Sequence, residues 1–506
     1  NGVSGNWAWW AFLLTGMLTV FVYAKLWRRS GVLTDIEFYE LRYSGKAAAF
    51  LRGFRALYLG LVFNVLVMGA VSLAAVKFGE IVLGFPGWKT LLIACSITLA
   101  YSTLGGLRAV IITDFVQFTL AMIGSIWGML YILGLDQIGG LSKIITHPNV
   151  TGKLALIPDM SDPNVWVPVM LVPLAVQWWA SYYPGSEPGG GGYIAQRMFS
   201  AKDESHAVGA TFLFNVAHYA LRPWPWILIA LASLVVFPEL TDIQKAFPNL
   251  PADKLGHDVA YPAMLTLLPS GLLGLVAASL IAAFMSTMST QVNLGASYLV
   301  NDFYQRFIRP DASEKQLVRV GRMFTVVSII LGAGLGLLLT SAGQAFTLLL
   351  MIGAGTGMIY ILRWFWWRIN AYTEIVAMVS SLLIAGYFNF INTGFEGWQK
   401  IVIGAVLTTI VWITATFITP ADDEETLRKF VKKVNPGGPG WAKYSDGISS
   451  EPWPVPKGIL LMVLGCVAVY GFLLGVGQLI YGNTNAGVIV CGLGGIASLG
   501  IYKIWK

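Results

Sequence analysis

The feature that most constrains this chain is the recurrence of apolar stretches long enough to cross a bilayer. A hydrocarbon core about 30 Å thick needs roughly 20 apolar residues per helix. About thirteen such stretches run through the 506 residues, near 7–27, 53–83, 89–103, 109–135, 165–184, 207–236, 262–300, 320–341, 345–367, 373–393, 399–419, 457–481 and 486–505. Hydrocarbon offers no water to an unpaired backbone group, so the expected fold is an all-α polytopic membrane protein, a single transmembrane domain over 1–506. Several stretches exceed one crossing, which predicts tilt or extension beyond the membrane. Composition agrees: 56% of residues are hydrophobic and 12% charged, against roughly a quarter charged in soluble proteins. An ordinary soluble enzyme is excluded.

The net charge, 33 − 26 = +7, sits in short loops and forms no groove or tail. That favours membrane lipid as a partner and argues against nucleic acid. Arg28, Arg29, Arg42, Lys46, Arg52 and Arg55 crowd the first long loop, Arg197 and Lys202 another, and Arg306, Arg309, Lys315, Arg319 and Arg322 a third. By the positive-inside bias these loops are cytoplasmic, with Asn1 outside and Lys506 inside, in a multi-pass protein of the cell inner membrane or plasma membrane. A polar stub leads from Asn1 straight into the first span without a signal-peptide pattern, so further helices are expected ahead of it. Cys95, Cys466 and Cys491 lie singly in apolar runs and read as buried small side chains. The polar insert at about 420–457 reads as a solvated cytoplasmic loop, and 136–163 as an outer cap or connector. The sequence sets no oligomeric state.

The 56 glycines cluster at Gly105-Gly106, Gly189 to Gly192 and Gly353-Ala-Gly355-Thr-Gly357. The run from Pro184 to Gly192 cannot continue a regular helix. Interrupted helices survive at membrane depth only where protein or a watery cavity covers them, so such breaks point to a transport path. Close helix packing explains 353–357 equally well.

Three groups of residues carry chemistry. Ser279, Ser286, Thr290, Asn293 and Ser297 recur at helical spacing and put one polar face at membrane depth. A hard monovalent cation takes oxygen ligands, and the Ser286 and Thr287 hydroxyls with a carbonyl from near Ala283 supply them; the competing expectation is that each hydroxyl bonds back to its own helix. Asp114, beside Thr113 and one turn before Gln117, is either an ion-path acid or an acid favoured by a helix N-terminus, with Arg108 nearby. Gln177, Trp178, Trp179, Ser181, Tyr182 and Tyr183 lead towards Glu187. Ring faces beside amide and carboxylate groups suit a polyhydroxylated ligand, and an interfacial aromatic belt accounts for the rings too. His218 could face the same cavity or simply pack. The sequence contains no G-x-x-x-x-G-K-[ST], H-E-x-x-H or G-x-S-x-G motif, so nothing argues for an enzyme.

The segment from Tyr101 through Gly105-Gly106 and Thr113-Asp114 to Gln117 resembles the signature of the sodium:solute symporter family, which includes bacterial sodium/galactose and sodium/proline transporters. Tyr193 to Arg197, Ala282 to Thr287, Asn301 to Tyr304 and Gly321-Arg322 follow in that family's order. The resemblance covers roughly 1–420. It implies a leucine-transporter-type fold of two inverted five-helix repeats, the first (1–135) lacking its broken first helix, the second at 164–367, and extra C-terminal helices over 371–506. It also implies that Ser286, Thr287 and the Ala283 carbonyl bind sodium, that Asp114 lies on the sodium exit path, and that Tyr193 closes the solute site from the cytoplasm. At the galactose transporter's sugar positions this chain has Trp9 for glutamate, Gly191 and Gly192 near the asparagine, His218 for lysine, and an apolar residue near 349 for glutamine. Galactose itself is therefore not expected; the two glycines widen the site and the tryptophans favour a ring-shaped neutral solute, so sodium-coupled import of a small neutral polar ring, a sugar or similar, is the expectation. The rival readings are a proton- or sodium-coupled carrier of a carboxylate or amino acid, and a membrane sensor on a transporter scaffold.

Overall fold

The structure is a computed structural model. It describes residues 2–180, 191–248, 250–340, 353, 355–445 and 453–505, without the side chains of 101 and 103–110. Every regular element among the described residues is helical. Among the described residues, ten helices are long and apolar enough to cross a membrane: Val3–Ser30, Gly45–Leu83, Ile111–Leu133, Glu204–Val236, Ser270–Ile308, Glu314–Leu338, Ala371–Phe390, Gly397–Ile418, Pro454–Ile480 and Thr484–Trp505. Gly87–Ala100 and Pro163–Ala175 are shorter apolar helices. The expected spans near 165–184 and 345–367 lie partly outside the described residues. Widened turns of π type interrupt several helices, as at Thr19–Tyr23 and Tyr58–Phe63.

One boundary differs from the sequence reading. Spans 89–103 and 109–135 were expected to be separate, yet the backbone runs as one helix of 47 residues, Gly87–Leu133. At 1.5 Å per residue this is roughly 70 Å, more than twice the hydrocarbon thickness. No proline falls in the interval, and Gly105 and Gly106 each cost a helix only about 1 kcal/mol, so nothing local breaks it. Asp114 consequently lies in mid-helix, which removes the helix-terminus explanation for that acid.

The chain divides into two compact units. The first comprises Asn1–Val3, Arg55–Ala155 and Arg222–Ala345. Its centre is a buried cluster of Met68, Val76, Leu91, Cys95, Phe284, Met288, Val292 and Ile329. Lipid is as apolar as these side chains, so close packing, more than water exclusion, holds such helices together. Gly336 permits the approach: a Cβ there would fall 2.3 Å from that of Ser72. Of the three cysteines Cys95 alone is buried; Cys466 and Cys491 are half-buried.

The second unit comprises Ser4–Phe54, Leu156–Leu221 and Phe346–Lys506. Helix Val3–Ser30 is its centre: 83% of its most apolar window is buried, against 17% for Thr484–Trp505. The Tyr470 hydroxyl donates to the Trp10 carbonyl at 2.7 Å, and the Gln177 amide to that of Ala8 at 2.8 Å.

This unit also corrects the reading of 420–457 as a solvated loop. Residues Glu424–Val434 form an amphipathic helix, capped by the Asp423 carboxylate, with Leu427, Phe430, Val431 and Val434 buried. Trp441 follows with no exposed surface and donates its indole N–H to the Trp364 carbonyl at 2.8 Å. Beneath them lies Arg42, also fully buried. Its guanidinium donates to the carbonyls of Arg363, Trp366 and Ile369 at 2.8, 3.0 and 3.1 Å, and it lies 4.7 Å from the Trp441 ring centre. The Asp422 carboxylate sits 3.9 Å from Arg42 and accepts the backbone and hydroxyl donors of Ser44 at 2.8 and 3.1 Å. Burial raises the Asp422 carboxyl above its ordinary range, with Arg42 and the Ser44 donors pulling the other way. Tyr43 donates to Glu374 at 2.5 Å. One buried cation thus fastens the first loop, the turn at 363–369 and the insert together.

Candidate functional site

In the first unit, helix Ser270–Ser297 presents the polar face expected from its spacing. Three of its hydroxyls do what membrane serine and threonine commonly do, turning back on their own helix. Ser279 donates to the Val276 carbonyl at 2.8 Å, Ser289 to that of Ser286 at 3.0 Å, and Thr287 to that of Ala283 at 3.1 Å. Ser286 is different. Its Oγ crosses to the helix Gly87–Leu133 and donates to Asp114 Oδ1 at 2.5 Å. Ser286, Thr287 and Asp114 are all half-buried, and Ala283 is exposed at its side chain.

Two hydroxyl oxygens, the Ala283 carbonyl and a carboxylate therefore gather on neighbouring turns. The set is all oxygen, suited to a hard cation. A hydroxyl that donates its only proton to a carboxylate keeps its lone pairs for a cation, and polarisation by that carboxylate makes the oxygen a better ligand. Among the described residues no three His, Cys, Asp or Glu side chains cluster as a metal site, so a soft or transition metal has no such cage here. Further along the same helix, toward its C-terminus, a different neighbour is tied in: Asn64, itself buried, donates to the Gln291 carbonyl at 2.9 Å and joins Gly45–Leu83 to Ser270–Ile308.

The second unit holds the residues expected at the solute. Trp9 is half-buried. Its ring stacks on Tyr219, with centroids 5.5 Å apart and planes 23° apart, and meets His218 edge-on at 5.5 Å. His218 in turn packs against Tyr219 at 4.6 Å and Phe214 at 5.4 Å. The Trp9 indole N–H is held by Asn6 Oδ1 at 2.9 Å. Helix Gly192–Phe199 carries Tyr193, half-buried, under the Arg197 guanidinium at 5.0 Å. Gly191 is buried just before that helix and Gly192 is its first residue.

Gln177 and Trp178 serve the backbone as much as any cavity. Besides the Gln177 tie to Ala8, the Trp178 carbonyl accepts the hydroxyl of Thr15. Next to them Trp179 touches Gly357, where a Cβ would sit 1.6 Å from the Trp179 oxygen. Tyr182, Glu187, Gly189, Gly190 and the position near 349 lie outside the described residues. Tyr219, Asn6 and Thr15 were missed in the sequence because their partners are remote or their side chains short; the one available signal was Tyr219 adjoining His218.

Known proteins resemble the chain in both sequence and fold. The sodium/glucose cotransporter of Vibrio parahaemolyticus is 28% identical over 82% of this chain and 77% of its own length. The sodium/mannose cotransporter of Bos taurus is 25% identical over 74% of this chain and 64% of its own length. The sodium/myo-inositol cotransporter of Mus musculus is 27% identical over 65% and 48%. The chain thus spans about half to two thirds of these two mammalian relatives. Among solved structures, a Na+-coupled sialic acid symporter in a substrate-bound outward-open state aligns with a TM-score of 0.61 at 20% identity, over 83% of this chain and 86% of that one. This is a likeness of fold, and it agrees with the all-helical leucine-transporter type expected from the motifs. With residues 1–384 matching its pattern, this multi-pass membrane protein belongs to the sodium:solute symporter family, a family of transporters and not of enzymes, in which sodium is the coupling ion.

Proposed function

We propose that the chain imports a small organic solute, a sugar or a similar neutral polar ring, by sodium-coupled alternating access. The observation that carries this reading is the Ser286 hydroxyl leaving its own helix for Asp114. In this reading Ser286, Thr287 and the Ala283 carbonyl supply oxygens to one sodium ion, and Asp114 offers the next oxygen on the way to the cytoplasm. Moving one charge through 100 mV is worth about 2.3 kcal/mol, enough to drive roughly fifty-fold accumulation of a neutral solute. Sodium binding would favour the outward-open state and the state that binds solute, which is what couples the two.

The solute part rests on Trp9 with Tyr219, His218 and Tyr193, whose ring faces suit the C–H face of a sugar. The sugar and inositol transporters among the relatives support the same class. The inverted repeats fall at 1–135 and 164–367 in this reading, with additional helices over 371–506.

The test is uptake into proteoliposomes, with sugars, amino acids and carboxylates offered under a sodium gradient, with choline in its place, and at varied pH. Accumulation of a neutral ring solute that needs sodium supports the proposal. Accumulation that follows a proton gradient, or of carboxylates or amino acids alone, overturns it. Failure to accumulate any solute against a gradient would overturn it as well, in favour of a passive channel or a sensor.

A further inference from the structure

The end of helix Val3–Ser30 that carries the first cation-rich loop gathers more positive charge than the protein itself satisfies. Lys25 is exposed and lies 5.5 Å over the ring of Trp505. Trp505 is itself packed on Phe21 at 5.5 Å and left 37% exposed. One turn on, Arg28 makes a single long hydrogen bond of 3.4 Å, to the Lys202 carbonyl, while its Nε is buried with no acceptor. The Lys433 ammonium reaches the same corner, within 3.8 Å of where a Cβ on Gly31 would stand.

Both nearby carboxylates are engaged elsewhere. Glu204 holds Arg29 at 2.8 Å, and Asp203 accepts from His206 at 2.8 Å. Among the described residues, Lys25, Arg28, Lys202 and Lys433 pair with no carboxylate. The partial negative charge of a helix C-terminus favours cations here by a fraction of a kcal/mol each. It does not give the Arg28 Nε an acceptor, nor does it explain why a lysine lies across an indole at the rim of a membrane helix.

We propose that this corner binds the headgroup of an anionic phospholipid, its phosphate gripped by Lys25 and Arg28 and its glycerol edge resting on Trp505. The chemistry fits at each point. Beyond its bond to the Lys202 carbonyl the Arg28 guanidinium has further terminal N–H groups to offer, and a guanidinium meets phosphate through paired hydrogen bonds. Lysine reaches the interface along its apolar stem. Tryptophan settles at the boundary between acyl chain and headgroup. Each cation near an anionic leaflet adds about 1 kcal/mol to the attraction.

The experiment uses the purified full chain in neutral detergent, with thermal unfolding followed on adding phosphatidylglycerol, phosphatidylcholine or inorganic phosphate. Phosphatidylglycerol should raise the unfolding temperature in a saturable way and the other two should not. Lys25→Gln with Arg28→Gln should raise the half-saturating lipid concentration at least tenfold, while Lys143→Gln with Lys153→Gln leaves it unchanged. Because Lys25 is exposed, Lys25→Gln alone should fold normally and weaken the response several-fold, so a misfolded double variant still leaves a decisive reading. Equal stabilisation by phosphatidylcholine, a full effect from free phosphate, or an unchanged phosphatidylglycerol response in both variants would overturn the proposal.

Discussion

Replacing Arg42 by alanine should loosen the insert at 420–445 specifically. The side chain has no exposed surface and donates to three carbonyls, those of Arg363, Trp366 and Ile369. A hydrogen bond from a charged donor contributes about 1.5–3 kcal/mol. The three share one guanidinium and will not add fully, so the loss expected on removing a buried partner is about 3–5 kcal/mol. Cleavage of a transiently opened segment follows the population of the open form, and this loss multiplies that population by roughly 10²–10⁴. Trypsin reads it directly, since Arg428, Lys429, Lys432 and Lys433 lie on the exposed face of the helix Glu424–Val434. The variant should be cut there at least a hundredfold faster than the parent under native conditions. Arg42→Lys, which keeps the charge but not the fork of donors, should fall between the two. If Arg42→Ala is cut no faster than the parent, the insert is not fastened in this way and the solvated-loop reading returns.

Other predictions follow from single positions. Gly357→Ala would bring a Cβ within 1.6 Å of the Trp179 oxygen, so the Gln177–Trp179 turn must move; overpacking of this kind costs about 1–3 kcal/mol, and the KM for solute should rise several-fold while the sodium dependence changes less. An unchanged KM would contradict the expectation that Gln177 and Trp178 lie at the solute. Asp422 has its carboxyl raised mainly by burial, so its contribution to stability is full below the ordinary carboxylate range and is lost as pH rises through the raised value. Acidification from neutral pH should therefore slow tryptic cleavage of the insert in the parent, and Asp422→Asn should flatten that slope; an equal slope in both would refute the assignment. Trp9→Ala removes the face stacked on Tyr219 and should weaken solute binding by about tenfold, read by solute titration at saturating sodium; unchanged affinity would place the solute elsewhere.

The legible part of this fold was its apolar runs, because a helix in hydrocarbon must satisfy its backbone within about 20 residues. What escaped notice depended on partners distant in the chain or on patterns masked by charge. Leu427, Phe430, Val431 and Val434 keep the spacing of an amphipathic helix, yet the surrounding Glu and Lys residues made the segment read as solvated. The spans were separated at the Gly105-Gly106 cluster, but glycine only weakens a helix and does not stop it. On the polar face of Ser270–Ser297, local back-bonding was foreseeable for Ser279, Thr287 and Ser289. The departure of Ser286 was not, since Asp114 lies 172 residues away. The motif order gave that pair its expected roles; no spacing argument could have joined the two. Likewise Trp9 entered only through the resemblance, since Tyr219 and His218, which pack against it, lie about 210 residues away.

The most direct measurement is radioactive sodium binding and sodium-driven solute uptake, compared for the parent, Ser286→Ala with Thr287→Ala, and Asp114→Asn. Loss of two of the proposed sodium oxygens should weaken sodium binding by at least tenfold and abolish accumulation driven by the gradient, while Asp114→Asn should slow turnover more than it weakens binding. Sodium affinity and gradient-driven uptake that survive the double substitution unchanged would contradict the account.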